Sequence, residues 1–154
     1  MVNERTDRTL LTELLSRLVG ADNYDVGELF QVDYPGGIAG YRSVCDEDRK
    51  GRAISGVAGG DPEGYVFDVT IFAHELGHQF GSLHTFSTDC AFNDSVLDAF
   101  EVGSGVTIMG YYFNCGGRFN SAVEPTLDYF NIRSIDRIIT NTVERRNCGV
   151  SVAT

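Results

Sequence analysis

The chain has 154 residues, of which 42% are hydrophobic and 22% charged, with a formal net charge of −10 at pH 7. That length suits one domain with a modest core, and no apolar run approaches the roughly 18 residues that would span a bilayer. The acid excess argues against a nucleic-acid partner, because it repels phosphate backbones, and the polar residues 1–8 are not a secretory signal peptide.

In chain order, residues 7–19 are predicted to form a helix, since Leu10, Leu11, Leu14, Leu15 and Leu18 share one face at helical spacing and Gly20 follows as a stop. Residues 24–33 alternate well enough for a strand, Pro35-Gly36-Gly37 marks a turn, and Ile38 to Val44 reads as a short strand at a sheet edge. Residues 46–64, rich in Gly, Asp, Arg and Lys, read as a surface loop. A helix is predicted from Asp68, a good N-cap, to Phe80, with Phe72, Ala73, Leu76 and Phe80 inward and Gly81 ending it. Residues 82–130 lack periodicity and are expected to be irregular. A last helix runs from Ile132 to Arg146, with Ile132, Ile135, Ile138, Ile139 and Val143 as its core stripe and Arg145 and Arg146 at its negative end.

The four cysteines, Cys45, Cys90, Cys115 and Cys148, show no C-x-x-C spacing, which speaks against a cysteine zinc site or a thioredoxin-type motif. An even, scattered set suits a disulfide-bonded, extracytoplasmic protein whose signal peptide is not in this chain; four reduced, buried thiols are the other reading. No D-x-D-x-D-G loop supports a calcium site.

The chemistry concentrates in His74-Glu75-Leu76-Gly77-His78-Gln79-Phe80-Gly81-Ser82-Leu83-His84. Residues four apart on a helix stack, so His74 and His78 present their imidazoles to one point. Gly81 can take a positive φ and let the chain leave the helix sharply, bringing His84 back as a third ligand. Three imidazoles suit one Zn2+ and leave its fourth position open, the layout of a catalytic rather than a structural site. Glu75 projects beside them as the general base for water at the metal. The chain's only three histidines all lie in this segment, which weighs against histidines that merely fill a core.

The segment from His74 to His84 resembles the extended zinc signature of the metzincin metallopeptidases. Thr107-Ile108-Met109-Gly110-Tyr111 looks like that clan's Met-turn, which places a methionine, here Met109, beneath the metal. Asn23-Tyr24-Asp25-Val26-Gly27, Gly37-Ile38-Ala39-Gly40 and the stretch from Gly103 to Tyr111 resemble the reprolysin (adamalysin)-like members, over roughly residues 23–148. Thr85 stands where animal reprolysins usually have aspartate, and Tyr111 where they commonly have proline. Tyr111 and the His84-Thr85-Phe86 run give the chain pappalysin-like features.

The resemblance implies an α+β zincin fold: a twisted mixed sheet, the active-site helix beside it, and an irregular lower subdomain ending in a C-terminal helix. It implies one catalytic domain over residues 1–154, divided near residue 81, and short at its N-terminal end. The pairings Cys45–Cys148 and Cys90–Cys115 come from the same likeness. So do Tyr111 as a transition-state donor or fifth ligand, Gly37, Ile38, Ala39 and Gly40 as the edge strand that binds extended peptide, and Tyr112 and Phe113 as a pocket wall. The expected activity is a zinc-dependent endopeptidase acting on proteins or peptides. A catalytically impaired, zinc-containing module that binds peptides or matrix is the alternative, and a zinc hydrolase outside the clan is a third. Nothing in the chain speaks to oligomeric state.

Overall fold

A computed structural model describes residues 4–87, 97–110 and 126–146. Helix α1, Glu4–Leu15, continues through a wide π-type turn, Ser16–Gly20, and a 3-10 turn, Ala21–Asn23. The predicted first helix is therefore present, but its leucine stripe is not its buried face. Leu10, Leu14 and Leu18 are exposed and Thr12 is buried. Thr12 sits where α1 crosses Gly51 so closely that a Cβ there would lie 2.9 Å from the Thr12 Cα, and this backbone approach turns the leucines outward.

Three strands follow: β1, Leu29–Val32, β2, Gly36–Ala39, and β3, Ala53–Val57. They form a mixed sheet of order β1-β3-β2, β3 running parallel to β1 and antiparallel to β2. The expected mixed sheet is thus observed, yet its central strand falls in the stretch expected to be a loop. Ala53, Ile54, Ser55 and Gly56 are all buried, and a strand covered on both faces has no reason to alternate. Gly56 is required there, because an added Cβ would meet the Gln31 carbonyl oxygen at 2.3 Å. The predicted 24–33 strand shrinks to β1. The second strand starts at Gly36 rather than Ile38, so the reversal lies at Asp33, where φ is 59°.

Behind the sheet a wide π-helical stretch, Val66–Phe72, leads into helix α2, Ala73–Phe80. Phe67 and Phe72 pack edge-on against Phe30 at centroid separations of 4.9 and 5.0 Å, anchoring this stretch to β1. Helix α2 buries His74, Glu75, Gly77 and Gln79, while Phe72, Ala73, Leu76 and Phe80, expected inward, are only half-buried. The core consists of Val44, Ala53, Ile54, Phe67, Phe86, Ile108 and Met109.

Beyond α2 the described segments are irregular, as expected, apart from a single bridge between Phe86 and Glu101. Helix α3, Ile132–Ile139, is capped by Asn131, which accepts from the Arg133 amide at 2.9 Å, and widens into the π-type stretch Thr140–Arg146. Its isoleucines do not form the predicted core stripe: Ile132, Ile135, Ile139 and Val143 are exposed, whereas Ser134 and Asn141 are buried. Two contacts set that rotation. Asp98, 1% exposed, receives the Arg133 and Arg137 guanidiniums at 2.8 Å each, and Asn141 packs where a Cβ on Gly81 would come within 2.8 Å of its own.

No helix among the described residues is long and apolar enough to cross a membrane. Cys90, Cys115 and Cys148, and with them both expected pairings, lie outside the described residues, as do Tyr111, Tyr112 and Phe113.

Candidate metal centre

Helix α2 ends as its sequence requires. Gly81 takes φ 104°, a left-handed conformation open to glycine at little cost. Its amide donates to the His78 carbonyl at 3.0 Å, and the Ser82 amide reaches the Gly77 carbonyl at 2.8 Å, the pair of bonds that closes a Schellman cap. The chain then doubles back, and His84 arrives beside the two helical histidines. The segment after β2 crosses the same helix end, where the Arg42 and Val44 amides donate to the His78 and Gln79 carbonyls. These bonds satisfy carbonyls that a helix terminus leaves open.

The three imidazoles converge. The Nε2 atom of His84 lies 3.1 Å from Nε2 of His78 and 3.2 Å from Nε2 of His74, and one ring nitrogen from each of the three falls within 4.8 Å of the others. The tautomers follow from the carbonyls around them. The His74 Nδ1–H donates to the Ile108 carbonyl at 2.7 Å and the His78 Nδ1–H to the Ser82 carbonyl at 2.9 Å. A carbonyl can only accept, so both Nδ1 atoms carry the proton and both Nε2 atoms present bare lone pairs to the cluster.

Converging lone pairs repel unless a cation or a proton lies between them. Tetrahedral ligands about 2.0–2.1 Å from a zinc ion stand roughly 3.3 Å apart, close to the separations found. The donor set therefore fits zinc, and carbonyl partners on the outer nitrogens are the usual way of orienting ligating imidazoles. Burial, then the neighbouring His78 and His84, hold the His74 pKa well below the ordinary value of 6.5, against the opposing pull of the Ile108 carbonyl. The imidazole thus stays neutral, the form that binds a metal.

Glu75 is 6% exposed, and no described group hydrogen-bonds its carboxylate. Burial and the nearby Glu28 raise its pKa from 4.5 to about 8, with Arg8 pulling the other way. Strand β2 passes directly over it: a Cβ on Gly37 would lie 2.4 Å from the Glu75 Cγ and 2.7 Å from its Oε1. Gly37 is thus the residue that leaves room for the carboxylate at the sheet edge. Ile38 and Ala39 lie along the same strand and Gly40 just beyond it, its amide donating to the Arg52 carbonyl at 2.7 Å. Among the described residues no strand pairs with the outer side of β2.

Met109 is fully buried and lies under α2, where a Cβ on Gly77 would meet its Sδ at 2.5 Å. Its turn closes through the Gly110 amide on the Thr107 carbonyl at 2.8 Å. The methionine thus packs on α2 at Gly77, between His74 and His78.

Several participants carry no sequence signal. Glu28 accepts from Ser55 Oγ and from Gln79 Nε2, and burial raises its pKa to about 7 despite those bonds. Phe86 stacks on the His84 ring at 5.1 Å. Glu101 gathers the loops around the turn, with bonds to Thr85, Val106 and Thr107. Glu28 and Glu101 reach their partners across 5–51 residues of chain, so no local spacing announces them.

The model of a family described as Metallo-peptidase family M12B Reprolysin-like matches residues 3–140. That match does not extend to the pappalysin-like features. No curated protein and no solved structure shows a significant match to the chain.

Proposed function

The chain belongs to the reprolysin-like metallo-peptidase family M12B, and from that premise we propose that it is a zinc-dependent endopeptidase that hydrolyses internal peptide bonds, with Glu75 as its general base. The observation that carries this reading is the meeting of three imidazoles, with His84 Nε2 3.1 and 3.2 Å from the Nε2 atoms of His78 and His74, beside a buried carboxylate on the same helix as those two that has no hydrogen-bond partner among the described residues.

Zinc held by His74, His78 and His84 would polarise the scissile carbonyl and acidify a water molecule in its open position. The chain's own residues do the rest. The Ile108 and Ser82 carbonyls hold two imidazoles in the ligating tautomer. Glu75, with no competing hydrogen bond among the described residues, takes a proton from the attacking water and passes it to the departing amine. The outer side of β2, which no described strand pairs, aligns an extended peptide by strand addition above Glu75, from Gly36 through Ala39 to Gly40 beyond. Tyr111 donates to the developing oxyanion or adds a ligand, and Tyr112 and Phe113 wall the pocket beside the cleaved bond. The pairings Cys45–Cys148 and Cys90–Cys115 complete a single catalytic domain acting on proteins outside the cytoplasm, each bridge contributing about 2–4 kcal/mol.

The test is Glu75→Ala. Metal analysis should still find one zinc per chain, while chelator-sensitive cleavage of casein and of peptide libraries falls by about 10²–10⁴-fold. If the variant digests casein as fast as the parent, Glu75 is not the base; if the parent holds zinc but cleaves nothing, the chain is a zinc-containing binding module instead.

A further inference from the structure

Glu101 lies outside the histidine segment, yet it is 8% exposed and its carboxylate is saturated with donors. Oε1 accepts from the Val106 amide at 2.9 Å and the Thr107 amide at 3.0 Å. Oε2 accepts from the Thr107 hydroxyl at 2.6 Å and from the Thr85 hydroxyl. Its own amide donates to the Thr85 carbonyl at 2.8 Å, and it forms the bridge with Phe86.

These partners fall on two pieces of chain. Thr85 and Phe86 follow His84 directly, and the Thr85 amide donates to the Met109 carbonyl at 3.2 Å. Val106 and Thr107 lead into Ile108, whose carbonyl holds the His74 Nδ1 proton. One carboxylate therefore joins the strand carrying the third imidazole to the turn that orients the first. The packing around it is built for this approach. Gly105, at φ 73°, passes so close that a Cβ would lie 3.1 Å from Glu101 Oε2 and 3.1 Å from the Gly110 Cα. A bulkier residue there would push the carboxylate away from the turn.

We propose that Glu101 is a positioning residue of the metal centre, whose carboxylate sets the distance between His84 and the Ile108 carbonyl and so preorganises the cluster for zinc. The inference rests on reading the histidines as a zinc site. Charge-assisted bonds are about twice as strong as neutral ones, and loss of a group that orients metal ligands typically lowers metal affinity about 10–100-fold. Irregular loops with no ladder of their own depend on such a tie more than a helix does.

The test compares zinc affinity, by competition with a chromophoric chelator, in the full chain and in Glu101→Ala and Glu101→Gln. Glutamine can accept both amides at Oε1 and donate to both threonine hydroxyls from Nε2, so Glu101→Gln should bind within a few-fold of the parent. Glu101→Ala should bind about 10–100-fold more weakly. The imidazole 15N spectrum of the metal-free protein supplies a readout independent of zinc: the His74 Nδ1–H signal should persist in the parent and in Glu101→Gln and broaden or shift in Glu101→Ala. A folded Glu101→Ala protein with parental zinc affinity and an unchanged His74 signal overturns the proposal. If that variant does not fold, Thr85→Val, which removes one donor, must lower zinc affinity several-fold, and parental affinity there overturns it equally. A parent that takes up no zinc defeats the metal reading alone, and the 15N spectra still decide whether Glu101 positions His74.

Discussion

Replacing Gly37 with alanine isolates the geometry of Glu75, the proposed general base, from that of the proposed metal site. The new Cβ would stand 2.4 Å from the Glu75 Cγ, 2.7 Å from its Oε1 and 2.8 Å from its Cδ. Non-bonded carbons settle near 3.5 Å, so either β2 or the Glu75 side chain must move by about 1 Å. The strand is held on its inner side by antiparallel pairing, Gly37 opposite Ser55, and the carboxylate, nearly enclosed, is the freer of the two. A displacement of that size at a catalytic group costs about 10²-fold in rate, equivalent to roughly 2.7 kcal/mol of barrier. Overpacking should lower folding stability by about 1–3 kcal/mol, a fall in Tm of a few degrees per kcal/mol for a chain of this size. None of the three imidazoles is touched, so zinc affinity should stay at the parental value. Hydrolysis of a quenched fluorescent peptide, followed as kcat and KM separately, reads the effect. Gly60→Ala is the control, since nothing lies within 4 Å of a Cβ there. A Gly37→Ala protein that keeps the parental kcat/KM with full zinc would refute the placement of Glu75 as the reacting carboxylate under the sheet edge.

Two further outcomes are expected. Gly77→Ala would bring a Cβ to 2.5 Å from the Met109 Sδ and 2.9 Å from the Phe130 Cε1. It should lower stability by about 1–3 kcal/mol and also weaken zinc binding, because lifting α2 off the turn stretches the His74–Ile108 bond; parental values in both thermal melts and zinc competition would show that the contact does not matter. Glu28, with its pKa raised from 4.5 to about 7, makes the metal-free protein sensitive to pH. Between those values the folded chain keeps a proton that the unfolded chain has released, so stability is full below about pH 4.5 and declines as pH rises through 7. Glu28→Gln should flatten that decline and raise stability at pH 8 by roughly 1–2 kcal/mol, less than the full shift implies because the side chain retains some solvent. Urea unfolding at pH 5 and pH 8 checks this, and parallel curves for variant and parent would contradict it.

The histidines could be found in the sequence because their arrangement is local. Two lie one helical turn apart, and the third follows a glycine whose positive φ is a property of one residue. The positions of α1, α2 and α3 were accessible for the same reason, and the fold class followed from the family resemblance that this segment carries. What the sequence did not disclose depends on distant neighbours. Strand β3 looked like loop because Ser55 and Gly56 interrupt its apolar residues, and both are explained only by partners elsewhere: Glu28 for Ser55, the Gln31 carbonyl for Gly56. The leucines of α1 and the isoleucines of α3 form regular stripes, yet packing at Gly51 and the ion pairs to Asp98 turn other faces inward. Glu28 and Glu101 were two acids among 22 until the fold assembled their donors.

Helix α2 reverses the ordinary arrangement of an amphipathic helix, burying one imidazole, a carboxylate and an amide while His78, Leu76 and Phe80 are half-buried. Buried polar groups are tolerated only when partnered, and here the partners come from outside the helix. Gln79 is taken by Glu28 and Ser43, His74 by Ile108 and His78 by Ser82. Those bonds satisfy the outer nitrogens and leave the inner lone pairs of His74 and His78 turned to the cluster, an arrangement that a bound cation would relieve. His74 and His78 belong to the helix and His84 to the chain beyond Gly81, so an ion bound there joins the helical half to the irregular half. Binding energy at such a site is also folding energy. The loops around Glu101 should accordingly be where metal removal is felt first, because among the described residues the Glu101 carboxylate, a few backbone bonds and the packing of Met109 on Gly77 are what hold them together and against α2.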